Sequence, residues 1–218
     1  MTVITIERKV LAKNDEIARQ NRETFDRHGL FVFNVVSSPG AGKTCLLERT
    51  LEVLGGSVRL AVVEGDVQTD FDAQRVARYG VPVVQIVTNG GCHLEAKLVQ
   101  DALASLPLDQ LDVLVIENVG NLVCPANYDL GEALKVVVVS TTEGDDKPLK
   151  YPGMFRNASV LVINKTDLLP HLDTDVAALR RNALQINPSL TVFETSCRTK
   201  TGIAEWCDWL KARAARRA

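Results

Sequence analysis

Eight residues, Ser37-Ser38-Pro39-Gly40-Ala41-Gly42-Lys43-Thr44, join an apolar run to a helical pattern. Their chemistry is that of a phosphate cradle. Gly40 and Gly42 let backbone N–H groups approach phosphate oxygens closely, and the helix N-terminus adds partial positive charge. Lys43 suits the β- and γ-phosphates, and the Thr44 hydroxyl suits Mg²⁺. Ser38, Ala41 and Cys45 complete the stretch in contact with phosphate. Ser37 stands where the first glycine is usual, a turn position that tolerates a small side chain. An ordinary Gly-rich turn has no need of the Lys-Thr pair that ends this one.

A second constellation reads the base. Residues 161–163 form an apolar run that ends in Asn164-Lys165-Thr166-Asp167, the N-K-x-D pattern of guanine-nucleotide proteins. A carboxylate at Asp167 accepts from N1–H and the exocyclic amine of guanine and repels the N1 acceptor of adenine. A site with such a committed group rejects the wrong base strongly. Lys165 lays its stem along the base, and Asn164 ties neighbouring loops together. Thr195-Ser196-Cys197 matches the loop whose backbone N–H meets the guanine oxygen, so Ser196 and Cys197 join the set. The bound nucleotide is then GTP or GDP.

Glu117-Asn118-Val119-Gly120 follows the apolar run 113–116, where Asp-x-x-Gly is usual. Glu117 holds Mg²⁺ through water in this reading, and the Gly120 N–H touches the γ-phosphate. Glu64-Gly65-Asp66 ends another apolar run and makes Asp66 a Mg²⁺ ligand beside Thr44 and Glu117. Asp70 and Asp72 lie close by, either as helix caps or as further ligands. Lys43, Asp66, Glu117 and Gly120 are thus the candidate catalytic set. Asn121 replaces the water-positioning Gln that often follows the glycine, so intrinsic hydrolysis is expected to be slow.

A third constellation has different chemistry. Cys92-His93 lies in a Gly-rich stretch, and Cys124 lies four residues beyond Gly120. Thiolate and imidazole suit Zn²⁺ and Ni²⁺. Three ligands are too few for a closed site, which leaves room for water, a partner or a second copy across a two-fold axis. Cys124 shares a loop with Gly120, so nucleotide state has a path to a metal ligand. The competing reading takes the cysteines as small buried hydrophobes. Cys45 and Cys197 border the nucleotide, and Cys207 sits beside Trp206 and Trp209; all three read as packing residues. His28 and His171 read as loop or surface residues.

These motifs need loops at one edge of a sheet. Runs at 31–36, 59–64, 83–87, 113–117, 136–139, 161–164 and 191–195 read as strands, most of them Val- and Ile-rich without alternation, as burial on both faces of a parallel sheet requires. Helical patterns at 43–54, 70–79, 94–106, 173–186 and 202–214 alternate with them. The expected fold is a doubly wound α/β domain with a mostly parallel sheet and helices on both faces. A polar helix over 8–28, with Val10, Leu11, Ile17 and Phe25 as its sparse stripe, leads it on the outside. No linker or repeat interrupts residues 1–218, so one P-loop domain is expected. A formal net charge of -2, with 46% hydrophobic and 24% charged residues, suggests no general nucleic-acid surface. The basic run Lys211 to Arg217 suits a helix C-terminus better than a polyanion or membrane. Neither a signal-peptide pattern nor a membrane-length apolar run is present, and five cysteines are no disulfide scaffold. A cytoplasmic location is expected.

Taken together, Ser37 to Thr44, Glu64-Gly65-Asp66, Gly90 to His93, Glu117 to Pro125, residues 142–152 and Asn164 to Asp167 resemble the HypB-type GTPases that assist nickel insertion into [NiFe]-hydrogenase. The resemblance spans nearly the whole chain, and Ser37 looks like what that family carries. It implies a metal site at Cys92, His93 and Cys124 near a dimer interface, and GTP-promoted homodimerisation. It also implies a HypA-type nickel chaperone and a hydrogenase large-subunit precursor as partners. Residues 1–218 hold no Cys-x-x-Cys-Gly-Cys segment and no His-rich tract, so the implied version is minimal. Segment 142–152 reads either as a solvated loop or as the source of a phosphate contact from Lys147 or Lys150. Rival readings are accessory GTPases of urease or cobalamin enzymes, and a metal-gated regulatory GTP-binding module. The urease type carries Cys-Pro-His where this chain has Cys124-Pro125-Ala126.

Overall fold

The computed structural model describes residues 6–215, with side chains from residue 11 onward. The chain begins with helix α1 (Ile6–Arg27) and strand β1 (Phe31–Ser37). It continues through α2 (Lys43–Leu54), β2 (Leu60–Asp66), α3 (Phe71–Ala77), β3 (Val83–Val87), α4 (Ala96–Leu103) and β4 (Val113–Glu117). The second half comprises β5 (Leu134–Ser140), α5 (Lys147–Lys150), α6 (Pro152–Asn157), β6 (Val160–Asn164), α7 (Val176–Ile186), β7 (Thr191–Glu194) and α8 (Ile203–Ala214). The seven strands are all parallel, in the order β3-β2-β4-β1-β5-β6-β7.

Burial on both faces explains the strand sequences. Phe31, Phe33 and Val35 of β1 and Val113 and Val115 of β4 point into one core with Leu46, Leu47 and Trp206 of α2 and α8. The alternate residues Val32, Leu114 and Ile116 point the other way, against Phe25, Leu94 and Val99. Every other residue thus meets a different helical layer, so an apolar run rather than an apolar–polar alternation is required. Trp206 anchors the first core. Its ring lies 5.3 Å from Trp209, and its Nε1 donates to Thr50 Oγ1 at 2.8 Å.

Three expectations need correction. Helix α1 does lie outside, against α4, but its inner stripe is Asn14, Ala18, Asn21 and Phe25 rather than one built on Leu11 and Ile17. The Val10 side chain lies outside the described residues. Asn21 Nδ2 donates to Ala96 O (2.9 Å) and Leu130 O (3.0 Å), and Asn14 Oδ1 accepts from Ala96 N. The helix is pinned by amide bonds, which a hydrophobic pattern does not register. Second, the helix expected at 94–106 spans only Ala96–Leu103, because Glu95 before it is extended at φ -107, ψ 156. Third, segment 142–152 is not a solvated loop. A capping box between Ser140 and Glu143 opens a short 3₁₀ turn, and α5 and α6 follow with Pro148 buried. At the other terminus α8 places Lys211 and Arg213 in its last turn, where they favour the helix dipole; Arg216 and Arg217 lie outside the described residues.

Candidate functional site

The phosphate loop links the carboxyl end of β1, a central strand, to the first turn of α2. Two features fix its shape. Gly42 adopts φ +101, and a Cβ there would stand 2.5 Å from Asn164 Nδ2. That carboxamide donates to Ala41 O at 3.1 Å, so the base-reading loop braces the phosphate loop. Ser37, fully buried, accepts from Lys43 Nζ at 3.2 Å and holds the ammonium at the loop's edge. Ser38 and Gly40 line the exposed side, and Ala41 is buried beneath it.

The base-reading residues converge on a cavity of about 460 Å³ lined by Gly42, Cys45, Asn164, Lys165, Asp167 and Cys197. Lys165 sits at φ +63 and donates to Gly40 O at 2.7 Å, so its stem bridges the two loops. Ser196 Oγ donates to Asp167 Oδ1 at 2.6 Å, which orients the carboxylate while one oxygen stays free for a ligand donor. Cys197 is buried and donates to Asn164 Oδ1. Its contact with Cys45 pulls the Cys45 thiol down to about 6. Cys207 is buried in the core. Arg49 and Arg198 also line the cavity, and no motif marks them.

At the γ-phosphate end, Thr44 Oγ1 donates to Glu117 Oε1 at 2.7 Å, and Lys43 Nζ lies 4.0 Å from the same oxygen. Glu117 is accompanied by Glu64, which the motif reading passed over, and by Asp72, which it left open between helix cap and ligand. Ligand oxygens of Glu64, Asp72 and Glu117 lie within 4.8 Å of one another. Glu64 Oε2 and Glu117 Oε2 are buried without hydrogen-bond partners. Burial and the neighbouring Glu117 push Glu64 up to about 11, and burial pushes Glu117 up against the pull of Lys43 and Thr44. Two carboxylates so placed hold a proton or a cation between them. Orphaned buried oxygens beside a threonine hydroxyl fit a divalent oxygen-seeking ion such as Mg²⁺. Asp66 instead serves its own turn, accepting from Gln68 N, Thr69 N and Thr69 Oγ1. Asp70 makes no side-chain cap bond, and Asp72 is paired with Arg75 at 2.7 Å. The available signal for Glu64 was an acid inside an apolar strand, in register with Glu117 of β4.

Gly120 packs on the phosphate loop: a Cβ there would stand 3.1 Å from Pro39 Cα and N. Beyond it the chain reaches Cys124, whose Sγ lies 3.0 Å from Cys92 Sγ. His93 Nδ1 lies 3.5 Å from Cys92 Sγ, and the three ligand atoms fall within 4.8 Å. The His93 ring packs against Tyr128 at 3.9 Å, and its Nε2 is buried without a partner. Burial lowers the His93 pKa, favouring the neutral ring that ligates metal. Contact with Cys124, then burial, raises that of Cys92. Two thiols and an imidazole converging at an exposed edge fit a soft or borderline cation open to exchange. His28 pairs with Asp109 at the surface. Lys147 is paired with Glu143 (2.9 Å) and lies over Tyr151, and Lys150 is paired with Asp146 (2.7 Å).

Comparison with known proteins bears on this arrangement. The family model described as CobW/HypB/UreG, nucleotide-binding domain, matches residues 31–194. The hydrogenase maturation factor HypB of Azotobacter vinelandii is 54% identical over 209 residues, covering 96% of this chain and 69% of that protein. The crystal structure of HypB from Helicobacter pylori in complex with nickel superposes with a TM-score of 0.89 at 38% identity, covering 94% of this chain and 96% of that one. That of the hydrogenase maturation factor HypB from Archaeoglobus fulgidus gives 0.87 at 40% identity, covering 93% and 99%. With a P-loop nucleotide hydrolase fold and this degree of likeness along its length, the chain belongs to the HypB family of hydrogenase maturation factors.

Proposed function

We propose that this protein binds and hydrolyses GTP and uses the nucleotide cycle to hold and release nickel for insertion into [NiFe]-hydrogenase. The observation that carries the reading is the junction of two chemistries on one short segment. Glu117 meets Thr44, Gly120 lies on the phosphate loop, and Cys124 faces Cys92. Ser38, Gly40, Ala41, Gly42 and Lys43 cradle the phosphates. Asp167 and Lys165 read guanine, with Ser196 and Cys197 closing the cavity. Mg²⁺, once bound, screens the phosphate charge; Thr44, Glu117, Glu64 and Asp72 would hold it, with Asp66 at the strand end beside them. Lys43 stabilises charge on the transferred phosphoryl group. No glutamine orients the attacking water after Gly120, which supports slow turnover.

Nickel is the cargo here, and Cys92, His93 and Cys124 its ligands, with Zn²⁺ as a competitor for the same donors. An incomplete ligand set suits a cargo site, because a partner or a second copy can supply the rest. A GTP-promoted homodimer, a HypA-type nickel donor and a hydrogenase large-subunit precursor as acceptor accord with the family and the open coordination. Release of Lys147 or Lys150 from its acidic neighbour would free it for phosphate across that dimer. Residues 1–218 act as one cytoplasmic P-loop unit in this reading. The absence of a Cys-Pro-His motif favours hydrogenase over urease maturation, and Cys92-His93 favours it over a cobalamin-enzyme chaperone. A metal-gated regulatory module would lack transfer. Loading the purified protein with Ni²⁺ and following its transfer to apo-hydrogenase precursor tests the proposal. GTP-dependent transfer, lost in Cys92→Ala and Cys124→Ala, is expected; equal transfer with GDP, or by both variants, overturns it.

A further inference from the structure

The segment that carries Cys92 and His93 is held to the γ-phosphate loop by side-chain amides. Asn118 is buried at 1% exposure, directly after Glu117. Its own N–H donates to Val35 O at 2.9 Å, so its backbone belongs to the sheet. Its Oδ1 accepts two N–H groups at once: Leu94 N at 3.0 Å and Val119 N at 3.0 Å. Leu94 is the residue after His93, and Val119 is the residue before Gly120. Nδ2 donates to Asn34 Oδ1, and Asn34 in turn donates to Glu132 Oε1. That chain fixes the orientation of the carboxamide, so the oxygen faces both loops.

Two further contacts act in the same direction. Asn121 Nδ2 donates to Cys92 O at 3.1 Å while its Oδ1 accepts from Val123 N, the residue before Cys124. The Leu94 side chain fills the space above Gly65, where a Cβ would stand 2.8 Å from Leu94 Cδ1. Gly65 lies between Glu64 and Asp66. Residues 92–94 therefore touch both the loop after β4 and the carboxyl end of β2.

We propose that the Asn118 carboxamide is the positioning strut that makes metal affinity depend on the bound nucleotide. This deepens the reading of one switch serving two sites and rests on it. The physical reason lies in the two bonds to one buried oxygen. A buried N–H without a partner is strongly disfavoured, so Leu94 N and Val119 N move together or not at all. A shift of Gly120 toward a γ-phosphate pulls on Val119, and Asn118 passes the shift to Leu94 and hence to His93 and Cys92. Cys124 moves through Asn121 and Val123. The spacing of the three ligands then differs between the GDP and GTP states, and a difference in spacing is a difference in affinity. By linkage the metal must shift nucleotide affinity by the same factor.

The test measures Ni²⁺ affinity in the full chain with Mg²⁺ and either GDP or a non-hydrolysable GTP analogue. Wild type is expected to show an affinity ratio in the roughly 5–150-fold range typical of coupled sites. Asn118→Ala is expected to bring that ratio to within about twofold of one, while Ni²⁺ affinity without nucleotide changes little. General loosening would lower both affinities and leave the ratio. The thiolate-to-nickel charge-transfer band gives a second readout: it shifts with nucleotide in wild type and not in the variant. Should Asn118→Ala fail to fold, the half-buried Asn121→Ala must still reduce the ratio several-fold. A folded Asn118→Ala that keeps the wild-type ratio, or an Asn121→Ala that keeps it where Asn118→Ala is unfolded, overturns the strut. A wild-type ratio of one overturns instead the coupled reading on which the strut rests.

Discussion

Asp167 needs a ligand that donates, whereas Cys92 needs one that displaces a proton. For the first, Asp167→Asn removes the charge that accepts from guanine. GTP affinity should fall by about 1.5–3 kcal/mol, roughly 10- to 150-fold, with no gain for ATP, as a nucleotide titration reads directly. For the second, the raised pKa of Cys92 keeps its thiol protonated near neutrality. Metal entry releases that proton, so Ni²⁺ affinity should rise with pH across neutrality and fall as pH drops. A pH-independent affinity between pH 6 and 8 would count against thiolate ligation. Cys92→Ala or Cys124→Ala should cost more than the roughly 10–100-fold typical of an outer-shell change. The motif residues were legible because their types are committed: a lysine after Gly-x-Gly and an aspartate after Asn-Lys-x do one thing. Glu64 and Asn118 were not, because a lone acid or amide in a sequence has many uses, and Asp72 was legible only as either a cap or a ligand. Only the packing of β2, β4 and α3 shows their oxygens converging on Thr44 and Leu94.

At the scale of elements, the five inner strands could be read from apolar runs, since burial on both faces demands one; β3 and β7, at the sheet edges, are only half-buried and still show short apolar runs. The inner stripe of α1 could not. Asn14 and Asn21 replace the apolar residues that periodicity seeks, and their bonds to Ala96, Asp129 and Leu130 act over long sequence separations. Asn21→Ala would remove the donor shared by Ala96 O and Leu130 O. It should destabilise by about 1–3 kcal/mol, lowering the thermal midpoint by a few degrees in a chain of this size. Thermal denaturation checks this, and an unchanged midpoint would show that α1 is held by Phe25 and Ala18 alone. Segment 142–152 hides its short helices for a related reason. Its prolines and charges look like a loop, yet Pro148 is buried and Glu143 closes a cap on Ser140. At the phosphate loop, Gly42→Ala should abolish nucleotide binding, because the added methyl meets Asn164 in a backbone conformation disfavoured for alanine.

At the scale of the whole molecule, parallel strands deliver every motif to one edge of the sheet. β1, β2 and β4 end at the phosphate loop and the Glu64, Glu117 carboxylates, and β6 and β7 end at the cavity lined by Asn164, Asp167 and Cys197. The loop after β3 meets the loop after β4 at the thiols. That convergence is a property of the topology, with β4 between β2 and β1, and no single motif contains it. Steady-state hydrolysis by the isolated protein should run orders of magnitude below the ~5–20 s⁻¹ of an activator-assisted GTPase. The central claim is that one switch reads nucleotide and holds cargo. Its most direct test is a reciprocal titration of the wild-type protein: Ni²⁺ binding in the GDP and GTP-analogue states, and GTP-analogue binding with and without Ni²⁺. At least a fivefold effect is expected, equal in both directions and absent in the Cys92→Ala, Cys124→Ala double variant. Ni²⁺ affinity that is the same in both nucleotide states, or a nucleotide effect unaltered by the double variant, would overturn that claim.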